Sequence, residues 1–325
     1  MIRKLMEYHD REELDIVVAV VEAQVRSTKK GKPYLRLELG DSSGQISGNF
    51  WGASDQDLAD VTRGTIVELN GQRQEYQGHP QIKVYALRVV GPNEGYDLSQ
   101  FVKSAPYLAE EMMSEITQRL DTIENPIWHQ ITAYLLKKWQ KRFFSYPAGR
   151  SNHHALKGGL AFHTVTMLKD AQGLCDVYPQ VNRSLLYAGC ILHDMGKVIE
   201  LSGPVATEYT REGNLVGHLV LIDEQIVLAA QTLNLDLTSE DLLLLRHMVL
   251  SHHGQLSYGS PKQPALLEAE LLHRIDDLDA AVYAITNSLQ KTEPGHFTTA
   301  VRAQQDRRFY RPKKDEALTR LPNLE

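Results

Sequence analysis

The chain has 325 residues, 42% of them hydrophobic and 23% charged, with a formal net charge of −6 at pH 7. That is ordinary for a soluble globular protein of about two domains, with length enough for a sizeable core. It excludes a membrane span, since no stretch is apolar for ~18 residues, and a surface coated for duplex DNA, although a local basic groove remains compatible. The first residues, Met1 to Glu7, lack the apolar core of a signal peptide. Cys175 and Cys190 both fall in apolar helical contexts, as buried free thiols in a reducing compartment do. The expected location is the cytoplasm.

Residues 13–91 read as short strands between turn signals. Leu14 to Val25 is β-branched and apolar, Lys29 to Pro33 is a turn, and Tyr34 to Leu39 alternates with period two, as a half-buried strand does. Asp41 to Gly44 is a second turn and Gln45 to Trp51 a third strand. A short helix, Asp55 to Val61, precedes two strands, Thr65–Gln74 and Gln81–Val90, around Gln77-Gly78. This order fits a five-stranded OB-type barrel; an SH3-like barrel is the alternative, and the helix between strands three and four favours OB. Such barrels hold single-stranded nucleic acid by stacking bases on aromatics and meeting phosphates with cations. The candidates are Tyr34, Trp51 and Tyr76 with Arg36, Arg73 and Lys83; Phe50, Tyr85, Lys29, Lys30 and Lys32 are further ones. Neighbours in a strand point opposite ways, so one of Phe50 and Trp51 faces the core. Lys29 to Lys32 equally suits a solvated hairpin tip.

Residues 92–108, with two prolines and a Gly-Pro-Asn-Glu-Gly run, read as a linker. Residues 109–143 are amphipathic and helical, with Ile116, Leu120, Ile123, Ile127, Ile131, Leu135 and Trp139 at three- and four-residue steps. From 148 to 293 the pattern is entirely helical, over Gly159–Leu174, Arg183–Met195, His218–Leu233, Thr238–His253 and Pro264–Leu289. Thr238 with Asp241 resembles a capping box. Beyond it, Arg302, Arg307, Arg308, Arg311, Lys313 and Lys314 face only Asp306, with Phe309 and Tyr310 among them. That tail suits a polyanion; a merely solvated terminus is the alternative.

The chemistry gathers around Ile191 to Lys197. Leu185, Leu186, Ala188, Gly189, Ile191 and Leu192 make a helix buried on most sides, closed by His193 and Asp194, with Gly196 as its expected stop. A buried His and Asp side by side are costly unless something satisfies them, and a divalent cation does so. His163, His193, His218, His252 and His253 sit at or near helix ends, and Asp276 is a further carboxylate. A lone His on an apolar helix is usually a satisfied core residue; five in this arrangement are not. A His and Asp set lacks the Cys-rich tetrahedral character of structural zinc and leaves positions open for hydrolysis.

His163, then His193-Asp194, then a distant Asp276 resemble the HD superfamily of metal-dependent phosphohydrolases. His153-His154 before Gly159-Leu160 and His163-Thr164, His193-Asp194-Met-Gly-Lys197, Leu250-Ser-His-His-Gly254 and His273, Asp276, Asp279-Ala280 resemble the YhaM-type 3'-5' exoribonucleases, which also carry an OB domain. The pattern departs at Asp277 and Ala281-Val282. The resemblance implies an N-terminal OB barrel over 1–97, a linker and connecting helices over 98–147, an all-α HD domain over 148–293 and a basic tail over 294–325. It implies two divalent cations, Mn²⁺ foremost. His163, His193, Asp194 and Asp276 would hold one; His218 and His252, with His253 as a further candidate, would hold the other, and Asp194 would bridge. Lys197 would neutralise a phosphate oxygen. His273 and Asp279 would orient ligands, His154 would touch substrate or serve structure, and His247 would not be a ligand. The implied substrate is single-stranded RNA, with single-stranded DNA second, shortened from the 3' end to nucleoside 5'-monophosphates. A phosphohydrolase of free nucleotides and a non-catalytic single-strand binding protein are the alternatives.

Overall fold

In the computed structural model, which describes residues 3–28, 30–91, 94, 96, 100–150, 154 and 156–318, the alternating N-terminal stretches fold as five strands. They are β1 (Glu13–Ser27), β2 (Pro33–Asp41), β3 (Gly44–Phe50), β4 (Ile66–Tyr76) and β5 (His79–Val89), with α1 (Asp55–Asp60) between β3 and β4. The strands close in the order β1-β2-β3-β5-β4. β1 pairs antiparallel with both β2 and β4, and its register breaks between Val20 and Glu22, where it passes from one partner to the other. A parallel β3–β5 pairing closes the barrel. Period-two alternation sends Leu35, Leu37 and Leu39 inward to meet Val18, Val20, Leu69 and Ile82. Phe50 takes the core position, and Trp51, just past the strand, is 51% exposed. The helix and this closure make the barrel OB-type rather than SH3-like.

The remaining helices are α2 (Ala109–Leu120), α3 (Pro126–Phe143), α4 (Gly159–Val177), α5 (Arg183–Leu192), α6 (Lys197–Glu200), α7 (Arg211–Leu215), α8 (His218–Thr232), α9 (Glu240–Ser251) and α10 (Leu267–Gln290). The amphipathic segment 109–143 is two helices, split before Asn125, whose side chain accepts from the Ile127 and Trp128 amides. Their apolar faces share one core with α4 and α5 through Met112, Ile116, Ile131 and Leu135. The Trp128 indole donates to the Asp241 carbonyl at 2.8 Å, tying α3 to α9. In α5 every residue from Leu185 to Leu192 is buried. A helix apolar all round belongs inside, and this one delivers His193 and Asp194 to the middle of the helical unit.

Two local readings need correction. Gly196 is not a left-handed stop: α5 ends at Leu192, and Gly196 is right-handed at the start of α6. A Cβ there would collide with the His218 carbonyl, so the residue is small because two backbones meet. The cap of α9 is Ser239, not Thr238; Ser239 accepts from the Leu242 amide, while the Thr238 amide and hydroxyl both donate to Asp236. Past α10 the tail folds back on itself, with Phe297 paired to Tyr310 and Val301 to Arg307. Gly254, two residues past the α9 cap, has φ +76 and lies where a Cβ would strike the His273 ring.

Two compact units divide the chain: Met1–Ser104 with Pro204–Thr207, and Ala105–Gly203 with Glu208–Glu325. Much of the expected linker falls on 92, 93, 95 and 97–99, which, with Lys29 and His153, lie outside the described residues. Among the described residues no helix is long and apolar enough to cross a membrane.

Candidate active site

The site assembles at helix ends. α5 supplies His193 and Asp194 just past its last turn, α4 supplies His163, α8 begins with His218, α9 ends into His252 and His253, and α10 carries Asp276 and Asp279. Except for His253 and Asp276, which are half-buried, these side chains are buried.

Each imidazole has one nitrogen committed outward. His193 Nδ1 donates to the Cys190 carbonyl at 2.9 Å, His252 Nδ1 to Val249 at 2.7 Å and His253 Nδ1 to Tyr258 at 2.8 Å. A carbonyl only accepts, so Nδ1 carries the proton in all three. His163 Nδ1 donates to Asp279 Oδ2 at 2.6 Å, and His218 Nδ1 to Glu200 Oε1 at 2.9 Å. Five Nε2 atoms are thereby left to face inward. Those of His163 and His193 lie 3.3 Å apart, and that of His163 lies 3.2 Å from Asp276 Oδ1. Two ring nitrogens so close need a cation between them or a proton on one.

Asp194 stands at the centre. Its Oδ1 is 3.3 Å from His218 Nε2 and 3.8 Å from His252 Nε2; its Oδ2 is 3.4 Å from His193 Nε2 and 3.8 Å from His163 Nε2. The buried Lys197 ammonium donates to Oδ2 at 2.6 Å. Among the described residues the buried Nε2 atoms of His218 and His252 have no hydrogen-bond partner. An orphaned buried nitrogen carries a desolvation penalty, and a metal ion removes it. Donor atoms lie within 4.8 Å of one another in the sets His163, His193, Asp276; His193, Asp194, His252; and His218, His252, His253. Imidazole nitrogens with carboxylates suit divalent cations, so the residues present fit such ions.

The charge states agree with this geometry. Burial alone would raise the Asp194 carboxyl, but Lys197 and His193 hold it well below its usual range. Burial likewise opposes ionisation of Asp276, yet the hydrogen bond to His163 keeps it low. His163 is pushed up to about 10, because its bonds to Asp276 and Asp279 outweigh its burial. His252 and His253 go the other way, lowered first by burial and then by the neighbouring imidazoles, His193 for the former and His218 for the latter. The neutral rings keep open lone pairs.

The surrounding residues sort by contact. Asp279 Oδ2 also accepts from His154 Nε2 at 2.7 Å. His273 donates from Nδ1 to the His252 carbonyl at 3.0 Å, supporting backbone rather than an imidazole. His247 Nε2 accepts from the Ala265 amide. Glu200 was missed by the sequence reading: its buried carboxylate accepts from both the backbone amide and Nδ1 of His218. Its one signal is position, three residues past Lys197 on the same short helix.

On the barrel, Tyr34, Arg36, Trp51 and Tyr76 line one groove of about 840 Å³, with Asn49 and Gln81 between them. Tyr34 and Trp51 are already stacked, centroids 4.1 Å apart. Two expected contacts lie elsewhere. Arg73 donates to the Tyr8 carbonyl at 2.5 Å, and Lys83 sits 5.4 Å over the Tyr85 ring, outside the groove lining. Lys30 and Lys32 are exposed at the β1–β2 tip.

The family model described as "HD domain" matches residues 160–281, and the one described as "OB-fold nucleic acid binding domain" matches residues 19–90. Among curated proteins, the 3'-5' exoribonuclease YhaM of Geobacillus sp. (strain WCH70) is 42% identical over 312 residues, 96% of this chain and 96% of its own. The protein of the same description from Bacillus licheniformis is 43% identical over 312 residues, 96% of this chain and 99% of its own. Among solved structures, the second OB-fold domain of replication protein A from Methanococcus maripaludis aligns with 29% of this chain and 98% of that one, at 23% identity and TM-score 0.23. With both domains matched in order and relatives this similar over nearly its whole length, the chain belongs to the YhaM family of 3'-5' exoribonucleases.

Proposed function

We propose that this protein is a metal-dependent exoribonuclease that hydrolyses single-stranded RNA from its 3' end and releases nucleoside 5'-monophosphates. The observation that carries the reading is the convergence of four imidazole Nε2 atoms on Asp194, two of them with no hydrogen-bond partner among the described residues. His163, His193, Asp194 and Asp276 would hold one divalent cation, and His218 and His252, with His253 as a further donor, would hold a second. Such ions, when bound, polarise a phosphate and generate a nucleophile from water at neutral pH. Mn²⁺ suits this mixture of imidazole and carboxylate donors.

The chain's own residues do the rest. Lys197 keeps Asp194 ionised and presents positive charge where an anionic phosphodiester must enter. Asp279 and Glu200 fix His163 and His218 so that Nε2 of each faces inward. The Tyr34, Trp51 and Tyr76 rings supply stacking surface for bases in the barrel groove, which suits single-stranded RNA and single-stranded DNA. Cys175 and Cys190, buried free thiols, suit the reducing cytoplasm.

The deciding experiment uses a 5'-labelled single-stranded RNA on a sequencing gel, with Mn²⁺ and then with EDTA. A ladder shortening from the 3' end, lost in EDTA, is expected. Intact RNA in both lanes overturns the reading and directs attention to free nucleotides. Glu200→Gln is expected to weaken cation binding at His218 by ten- to a hundredfold. Metal analysis after dialysis should then find one cation fewer per chain than in the wild type. An unchanged metal content would remove Glu200 from its orienting role.

A further inference from the structure

Beyond α10 the chain forms a hook that the hydrolytic site does not use. It runs out through Phe297 and Val301, turns at Arg302–Gln304 and two left-handed residues, Gln305 and Asp306, and returns to pair Arg307 with Val301 and Tyr310 with Phe297. It is pinned from within. Thr298 and Val301 are buried, and Arg311 Nη1 donates to the Leu289 and Thr292 carbonyls at the end of α10.

Its outer face has a different character. Phe297 is 64% exposed and Tyr310 47%, with ring centroids 5.2 Å apart. Arg302, Arg308, Lys313 and Lys314, in the same segment, are exposed, and among the described residues none of the four is in an ion pair or a hydrogen bond through its side chain. Residues 296–314 carry six Arg and Lys against one Asp, in a chain whose net charge is −6. Paired exposed rings held in place by main-chain bridges, in one short segment with unpaired exposed cations, combine the two elements of single-strand recognition, a stacking face and a polyanion contact.

We infer that this hook is a second binding site for single-stranded nucleic acid, with bases stacked on Phe297 and Tyr310 and phosphates met by Arg302, Arg308 and Lys313. That the bound strand is also the substrate rests on the exoribonuclease reading above. The hook is anchored at the end of the helix that carries Asp276. From Asp276 to Gln290 the helix rises ~21 Å, so a strand whose 3' end lies in the site touches the hook only when it is several nucleotides long.

The test uses the full chain in EDTA, where no strand is consumed, and a fluorescently labelled long single-stranded RNA read by anisotropy. Phe297→Ala with Tyr310→Ala is expected to weaken binding roughly tenfold, the scale of losing one stacked base. Tyr310→Phe, which keeps the ring, should restore most of it. Arg308→Glu with Lys313→Glu, on exposed positions that folding does not need, should weaken binding and flatten its salt dependence. With Mn²⁺ restored, the ratio of kcat/KM on the long RNA to that on a trinucleotide should fall roughly tenfold in either double variant. Wild-type affinity in both double variants, or equal losses on long and short substrates, overturns the hook. Hook-dependent binding by a wild-type protein that cleaves nothing would instead overturn the exoribonuclease reading and leave the hook standing.

Discussion

Asp194→Asn is expected to abolish RNA hydrolysis. Among the described residues Asp194 is the one carboxylate with an oxygen within 4 Å of Nε2 in each of His163, His193, His218 and His252. Asparagine keeps the shape and removes the charge, so neither donor set retains the anion it shares. The substitution also strands the buried Lys197 ammonium, and breaking a buried pair from one side costs about 3–5 kcal/mol. Loss of activity alone would therefore confuse chemistry with folding. Asp194→Asn with Lys197→Met removes both charges and should recover most of the thermal stability without any of the hydrolysis. Activity above a tenth of wild type in a folded single variant would refute the central role of Asp194.

The second large effect is on pH. In the metal-free protein the Asp276 and Asp279 carboxylates, against the effect of burial, push His163 up to about 10 from the ordinary 6.5 of a histidine. A raised folded pKa contributes stability that is complete below the unfolded value and is lost as pH rises through the folded one. EDTA-treated protein should therefore lose thermal stability between pH 7 and 10. A cation at His163 Nε2 must displace that proton, so its apparent affinity should rise about tenfold per pH unit over the same range. His252 and His253 are shifted down and neutral, so a cation held by them releases no proton from either ring at pH 7. Titration calorimetry in buffers of different ionisation enthalpy counts the protons: about one per cation at His163 and none from His252 or His253. A pH-independent affinity across both binding steps would contradict the charge assignment of His163.

How far the sequence reached depended on the range of the interaction. The barrel strands and α5 were legible because period two and an all-apolar helix are properties of a few adjacent residues. The His and Asp donors were legible because their side chains are costly to bury and fall in a recognisable order. Glu200 was not: its meaning depends on α6 and the start of α8 meeting backbone to backbone at Gly196 and His218, a contact that no local pattern announces. Arg73 shares the strand face of Val67 and Leu69 at the end of the barrel, and the segment before β1 folds back so that the Tyr8 carbonyl takes its guanidinium, another contact that no local pattern announces. Thr238 and Ser239 were equally good caps by composition, and Asp236 decided between them by accepting from Thr238.

The way the imidazoles are aimed divides them into two kinds with different futures under mutation. His193, His252 and His253 are oriented by the main-chain carbonyls of Cys190, Val249 and Tyr258. No side-chain replacement at those three positions deletes the acceptor, so these rings are insulated from single-codon change. His163 and His218 depend on the carboxylates of Asp279 and Glu200, which a single base change can neutralise. Each proposed cation thus has one ligand that selection can retune while its neighbours stay fixed, and drift in metal preference among descendants of this chain would begin at Asp279 and Glu200.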